Sequence, residues 1–237
     1  MRILKNILFV VFLSSLSGCY NVKNIDIQPI NYNYTPFRDV QLVNAEKYNL
    51  KKVYEKYSKT IKYIAKYNGI SENLIYSFLV VENGKFDPSA VSTANAIGLL
   101  QVKAITANDI VIMANRSHKL TNFDKRMLHN FLGKKRSKQL LKINVLGCSD
   151  IITDADLMKP ELNLVIGALF LKILHEETNG NIAEMGLRYL NGYFAFNCGK
   201  NITEKRLKSS KYVSKLINIH NEISMPDLQT KMLVYHG

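Results

Sequence analysis

Residues 71–101 constrain this chain more than any other stretch, because they join a helix ending on a carboxylate to a segment that can be neither helix nor strand. Ser71 is placed to cap a helix start, and Asn83-Gly84 to stop it. Leu74, Phe78 and Glu82 are four residues apart, so they stack on one face of the helix between. The carboxylate therefore extends an apolar stripe instead of facing water. It also sits in the last turn, where the helix dipole disfavours a second negative charge. Desolvation and dipole both push such a carboxyl pKa upward, towards a group that can act as a general acid near neutral pH. The segment that follows, Asn83-Gly84-Lys85-Phe86-Asp87-Pro88, is rich in turn formers and leads into a Gly98-Leu99-Leu100-Gln101 corner.

An isolated glutamate at a helix end is most often solvated. The surrounding residues change that expectation, because E-N-G-K-F-D-P-S-A-V-S-T-A-N-A-I-G-L-L-Q resembles the signature of the lytic transglycosylases of the SLT, lysozyme-like, superfamily. The match is carried by Glu82, Pro88, Ala90, Val91, Ser92, Asn95, Ala96, Gly98, Leu99 and Gln101. Two further segments agree in the order the family has them. Pro160-Glu161-Leu162-Asn163-Leu164-Val165-Ile166-Gly167-Ala168 resembles its Pro-x-x-Asn-Ile-x-x-Gly-Ala helix, and Tyr189-Leu190-Asn191-Gly192 resembles its tyrosine motif. The Tyr-x-Asn-Gly form is most similar to the endo-type membrane-bound lytic murein transglycosylases. Three ordered motifs are more specific than any one alone. The chain departs from the pattern at Asn83, where the family has serine, at one extra residue before Pro88, at Leu100 for methionine and at Ala94 for a second serine. Residues 114–153 are also longer than expected between these motifs.

The resemblance implies a mainly α, lysozyme-like fold in a single catalytic domain, and a carbon–oxygen lyase acting on peptidoglycan. Glu82 would protonate the β-1,4 bond between N-acetylmuramic acid and N-acetylglucosamine, then take the proton of the C6 hydroxyl to close a 1,6-anhydro ring without water. By matched position, Ser92 would bond acetamido or sugar hydroxyls, or cap a turn. Gln101 would bind sugar or brace the loop. Tyr189 would bring its hydroxyl near Glu82. Asn191 would contact substrate or, with Gly192, shape the turn that presents Tyr189. A muramidase acting on the same bond needs a second carboxylate. Asp87, in an Asp-Pro loop start, and Asp109, in an expected helix, are the nearest in sequence. A lipoprotein that binds glycan strands without cleaving them is the remaining alternative.

The amino terminus carries Arg2 and Lys5, a short apolar run from Ile7 to Leu13, and Leu16-Ser17-Gly18-Cys19. The run is too short to span a bilayer and reads as a signal peptide over 1–18. The last four residues resemble the bacterial lipobox, which would make Cys19 a lipidated first residue; the alternative is an ordinary signal peptide with an incidental cysteine. Tyr20 is not the aspartate that would suggest inner-membrane retention, so the periplasmic face of a Gram-negative outer membrane is expected. Residues 19–45 lack helical periodicity and read as a tether, 46–224 as the domain and 225–237 as a tail. Within the domain, helices are expected from about 45 to 68, at 71–82, 104–115, 121–142 in one piece or two, 160–177, 181–191 and 203–222.

Net charge is +13, and removing Arg2 and Lys5 with the leader leaves +11. Such a balance asks for an anionic partner. Nucleic acid is not expected for an exported lipoprotein, whereas peptidoglycan carries carboxylates on its lactyl groups and peptides. A lysine-rich surface without a specific partner explains the charge equally well. Cys148 and Cys198 remain once Cys19 is assigned, and two thiols in an oxidising compartment suggest one bridge, or two unpaired buried cysteines. No Cys and His spacing resembles a metal site, so neither metal nor cofactor is expected. The sequence is silent on protein partners.

Overall fold

The computed structural model describes residues 44–147, 150–192 and 210–224. The leader, Cys19 and the tether up to residue 43, both Cys148 and Cys198, and the tail from 225 lie outside the described residues. Eight helices carry the described chain: α1 Asn44–Asn68, α2 Glu72–Glu82, α3 Ala104–Arg116, α4 Asn122–Leu140, α5 Asp154–Leu157, α6 Pro160–Glu177, α7 Ile182–Asn191 and α8 Lys211–Ile223. No β-strand occurs among the described residues. Two isolated antiparallel bridges, Val91 with Ile97 and Ile97 with Val102, knit the loop between α2 and α3.

α6 is the organising element. Its residues from Leu162 to Leu171 are all buried, so it is apolar around its whole circumference, as a helix in the centre of a core must be. Pro160 occupies the first turn, where its missing N–H costs nothing. α1, α3, α4, α5 and α7 all pack on it. α1 turns Val53, Tyr57, Ile61 and Ile64 inward, leaving Lys52, Lys56, Lys59 and Lys62 on the exposed side. Asn68 ends the helix by returning its amide to the Ile64 carbonyl at 3.1 Å.

Most helix limits follow the expected punctuation. Ser71 caps α2 by accepting from Leu74 N at 3.1 Å. α4 bends at Gly133, whose φ of 78° is open to glycine at no steric cost, so the expected one-or-two-piece helix is a kinked one. α5 was not expected, because four residues are too few to show a period. It is held by a Thr153–Asp156 capping box, and Arg136 of α4 pairs with Asp156 across to it. α8 starts at Lys211; residues 203–209 of the expected helix lie outside the described residues.

The long 114–153 segment forms α4 and a return loop fastened back onto α3. Asn108 uses both ends of its amide for this, accepting from Ile152 N at 2.9 Å and donating to Ile152 O at 2.9 Å. One buried side chain thus satisfies a backbone pair that has no strand to bond.

Candidate active site

The corner after α2 is built by three side-chain amides rather than by secondary structure. Asn83 donates to the carbonyls of Asp87 at 2.7 Å and Gly98 at 3.1 Å. Gln101 donates to Gly98 O at 2.8 Å and Ala90 O at 3.3 Å. Asn163, fully buried on α6, accepts from Leu100 N at 2.8 Å and donates to Ile97 O at 2.8 Å and Leu157 O at 3.2 Å. Gly98 has φ +79°, and a Cβ there would meet the Asn163 amide and come within 2.9 Å of Leu157 O. Gly167, one turn further along α6, leaves the space that the Leu100 side chain fills. The two sequence segments thus touch through Gly98 and Leu100 on the loop and Asn163 and Gly167 on α6.

Above this corner lies a cleft of about 580 Å³. Glu82, Ser92, Gln101, Tyr189 and Asn191, all named from sequence, line it. α2 contributes Glu82, the loop contributes Ser92 and Gln101, α3 contributes Asp109, and α7 contributes the last two. Ile105 and Leu190, both about half exposed, supply apolar surface at the cleft.

Burial raises the Glu82 pKa from 4.5 to about 7, against an opposing hydrogen bond from Tyr212. At neutral pH the carboxyl is thus poised between its acid and base forms. Tyr212, on α8, donates its hydroxyl to Glu82 Oε1. Its own pKa lies well above 10 through burial and the Glu82 charge, so it stays a donor. Gly186 on α7 has the Leu216 side chain where a Cβ would stand and the Tyr212 ring in ordinary contact beside it, so its lack of a side chain lets α8 pack closely here. A second polar tie joins α2 to α8. Ser77 donates to Asn73 O at 2.6 Å and meets His220 Nδ1 at 3.1 Å. Burial lowers the His220 pKa and favours the neutral ring.

Tyr189 lines the same cleft as Glu82. Its hydroxyl donates to Leu100 O at 2.6 Å, and its ring packs between Phe78 and Phe170, with centroids 4.9 Å and 5.0 Å away. The negative charge of Glu82 still reaches it and, after burial, raises its pKa further. The hydroxyl bonded to Glu82 is that of Tyr212, which sequence reasoning did not single out. Tyr212 heads a stripe with Leu216, Ile219 and Ile223, and such a stripe signals packing only. Ser92 accepts from Ala96 N at 3.0 Å, closing a tight turn while it faces the cleft. Gln101 braces the loop through its NH₂ group. Asn191 returns its own amide to Leu187 O at 2.7 Å.

The two alternative carboxylates part company. Asp87 is exposed and accepts from Ser89 N at 2.8 Å and Ser89 Oγ at 2.6 Å, bonds that hold its pKa below the usual value. Asp109 lines the cleft, nearly buried, with a pKa raised by desolvation; it accepts from Gly147 N at 2.7 Å. Among the described residues, no cluster of three His, Cys, Asp or Glu side chains is arranged to hold a metal ion.

Residues 59–125 match the family model of the transglycosylase SLT domain. The match runs from the middle of α1 to the start of α4, through Glu82 and the whole loop to Gln101. A search of the curated proteins finds no match to the chain. The helical architecture and this match together give a mainly α, lysozyme-like fold. In that region the chain is similar to lytic transglycosylases, whose glycan is peptidoglycan.

Proposed function

We propose that the chain is a peptidoglycan lytic transglycosylase in which Glu82 serves first as acid and then as base. The observation that carries this reading is the state of that one carboxyl: desolvated, raised to about pH 7, facing a cleft, and bonded on its far side by a tyrosine that cannot take its proton. Protonated Glu82 donates to the oxygen bridging N-acetylmuramic acid and N-acetylglucosamine. The C1–O bond breaks as C1 gains positive charge, and the sugar's own 2-acetamido group stabilises it. Ionised Glu82 then removes the C6 hydroxyl proton as O6 bonds to C1. The ring closes as a 1,6-anhydro product, Glu82 regains its proton, and no water is consumed. A carboxyl with a pKa near the working pH suits both halves of this cycle.

Ser92, Gln101 and Asn191 would contribute to the sugar-facing wall, Gln101 chiefly by fixing the loop. Tyr189 would act through its packing against Phe78 and its bond to Leu100. No cofactor enters the scheme. The similarity of the Tyr-x-Asn-Gly segment to the endo-type enzymes favours cleavage within strands. Cys19 would hold the chain by lipid to the periplasmic face of the outer membrane.

A muramidase is the second reading, favoured by Asp109 on the same cleft. An inverting hydrolase needs an ionised carboxylate to activate water. Burial raises the Asp109 pKa, and its link to Gly147 suits a role in fastening the return loop. Digesting purified sacculi and weighing the muropeptides separates the two. An anhydro end is one water lighter than a hydrolysed one. Anhydro ends support the transglycosylase; reducing ends that disappear in Asp109→Asn establish the muramidase.

A further inference from the structure

Among the described residues, three aspartates are almost buried: Asp109, Asp124 and Asp156. A carboxylate taken out of water needs several donors to replace its hydration. Asp156 has them, from Thr153 N at 3.1 Å, Thr153 Oγ1 at 2.8 Å, Lys159 Nζ at 3.2 Å and Arg136. Burial pushes its pKa up, and these donors more than reverse that. Asp124 closes a capping box with Thr121 through one oxygen, and its other oxygen is sealed inside the protein.

Asp109 is the exception. Its Oδ1 accepts from Gly147 N at 2.7 Å, and among the described residues no other donor or cation reaches the carboxyl. Burial raises its pKa against that single bond. Oδ2 is not among the sealed atoms that lack a partner, and Asp109 lines the cleft, so this oxygen opens on the space where a ligand would lie. Thr106, Ile110 and Met113 of the same helix, α3, line that wall with it. The apolar neighbours lower the local dielectric, which strengthens a hydrogen bond formed there. The cleft thus holds a second carboxylate, firmly seated and short of donors on the side that faces the ligand.

We infer that Asp109 fixes the register of the glycan strand by accepting, at Oδ2, a hydrogen bond from the free 3-hydroxyl of an N-acetylglucosamine. The inference deepens the proposed function and rests on it for the identity of the strand. The two sugars of that strand differ only at O3. N-acetylglucosamine has a hydroxyl there, which can donate. N-acetylmuramic acid has the lactyl ether, which has no hydrogen to give and carries a carboxyl or the peptide built on it. A carboxylate short of donors therefore attracts the first sugar. It rejects the second, which would leave it unpaired and set bulk or like charge against it. Because the sugars alternate, one N-acetylglucosamine held at Asp109 sets every other position. The bond presented to Glu82 is then always of one kind, with the muramic acid supplying C1. The side chain serves two partners: Oδ1 holds the return loop and Oδ2 reads the sugar.

The test is a calorimetric titration of the full chain carrying Glu82→Gln with the tetrasaccharide of N-acetylglucosamine, and with the same tetrasaccharide methylated at every O3. The free tetrasaccharide is expected to bind, and the methylated one roughly tenfold more weakly. Adding Asp109→Asn keeps an oxygen for Gly147 N and turns a donor towards the cleft. It should weaken the free tetrasaccharide by a similar factor and abolish the difference between the two sugars. A side chain that only fastened the loop would leave both affinities unchanged in this variant. Equal binding of the two sugars, no binding of the free one, or an unchanged preference in Asp109→Asn would each overturn the assignment. The comparison of the two sugars needs no change at Asp109, so it stands even where the variant does not fold. Product analysis on sacculi with the unaltered chain keeps the two proposals apart. A preference for the free sugar without anhydro ends leaves the Asp109 contact standing and removes the transglycosylase reading; anhydro ends without that preference do the reverse.

Discussion

The loop from Asn83 to Val102 and helix α8 form two sides of the surroundings of Glu82, and they are built in opposite ways. The loop has almost no regular structure. It is held by the side-chain amides of Asn83, Gln101 and Asn163, each spanning two or three backbone groups, and by a glycine that tolerates no Cβ. α8 is an ordinary amphipathic helix that rests on α2 and α7 through Leu216, Ile219 and Ile223 and brings one hydroxyl to Glu82. The difference separates two jobs. The polar wall sets geometry and fails abruptly when one amide is lost. The apolar wall sets the proton affinity of Glu82 by excluding water and adding one bond, so it should respond to change gradually.

The largest expected effect lies where the two walls meet. Glu82→Gln should lower the yield of anhydro products by at least about a thousandfold, because one carboxyl performs both proton transfers, each worth about 10²–10⁴. Muropeptide release from sacculi measures it, and a loss of tenfold or less would remove Glu82 from the chemistry. On the polar wall, Asn163→Ala strands Leu100 N, Ile97 O and Leu157 O in the core. It should cost about 3–5 kcal/mol, seen as a fall in thermal midpoint of roughly 10 °C. A change of only a degree or two would mean that the corner stands without its keystone.

The apolar wall should answer more softly. Tyr212→Phe removes the bond that lowers the Glu82 pKa and leaves desolvation unopposed. The pKa therefore rises, and the alkaline limb of the rate profile moves to higher pH, with the optimal rate falling less than about tenfold. An acid-ward shift would contradict the hydrogen bond. The smallest effect concerns stability. The Glu82 pKa is higher folded than unfolded, so its protonated form is favoured by folding below about pH 4.5, and that benefit is lost as pH rises through about 7. Glu82→Gln should therefore stabilise the protein above pH 7, by at most about 3 kcal/mol, and change little at pH 4. Denaturant midpoints at the two pH values compare them directly.

The same contrast explains what could be read in the sequence. The loop was legible because its constraints are local. Ser71 and Asn83 bracket α2, and the spacing of Leu74, Phe78 and Glu82 sets the carboxylate on a buried face. The Asn163 and Gly167 positions were legible as a motif, although only the structure shows what they hold. α8 carried no comparable signal. Tyr212 lies 130 residues from Glu82, and in a chain rich in tyrosine an apolar stripe does not reveal which hydroxyl reaches a carboxylate. For the same reason the sequence placed the Tyr189 hydroxyl near Glu82 without revealing that it donates to Leu100 O. The Asn108 and Asp109 clamps on the 114–153 return loop were hidden too, since both residues simply look helical.

One titration reaches the core of this reading: the carboxyl carbon of Glu82, followed by ¹³C NMR from pH 3 to pH 10. A midpoint near 7, rising in Tyr212→Phe, is the expected result. A midpoint near 4.5, unchanged in the variant, would mean a solvated glutamate that cannot hold its proton at neutral pH, and would contradict its role as the acid.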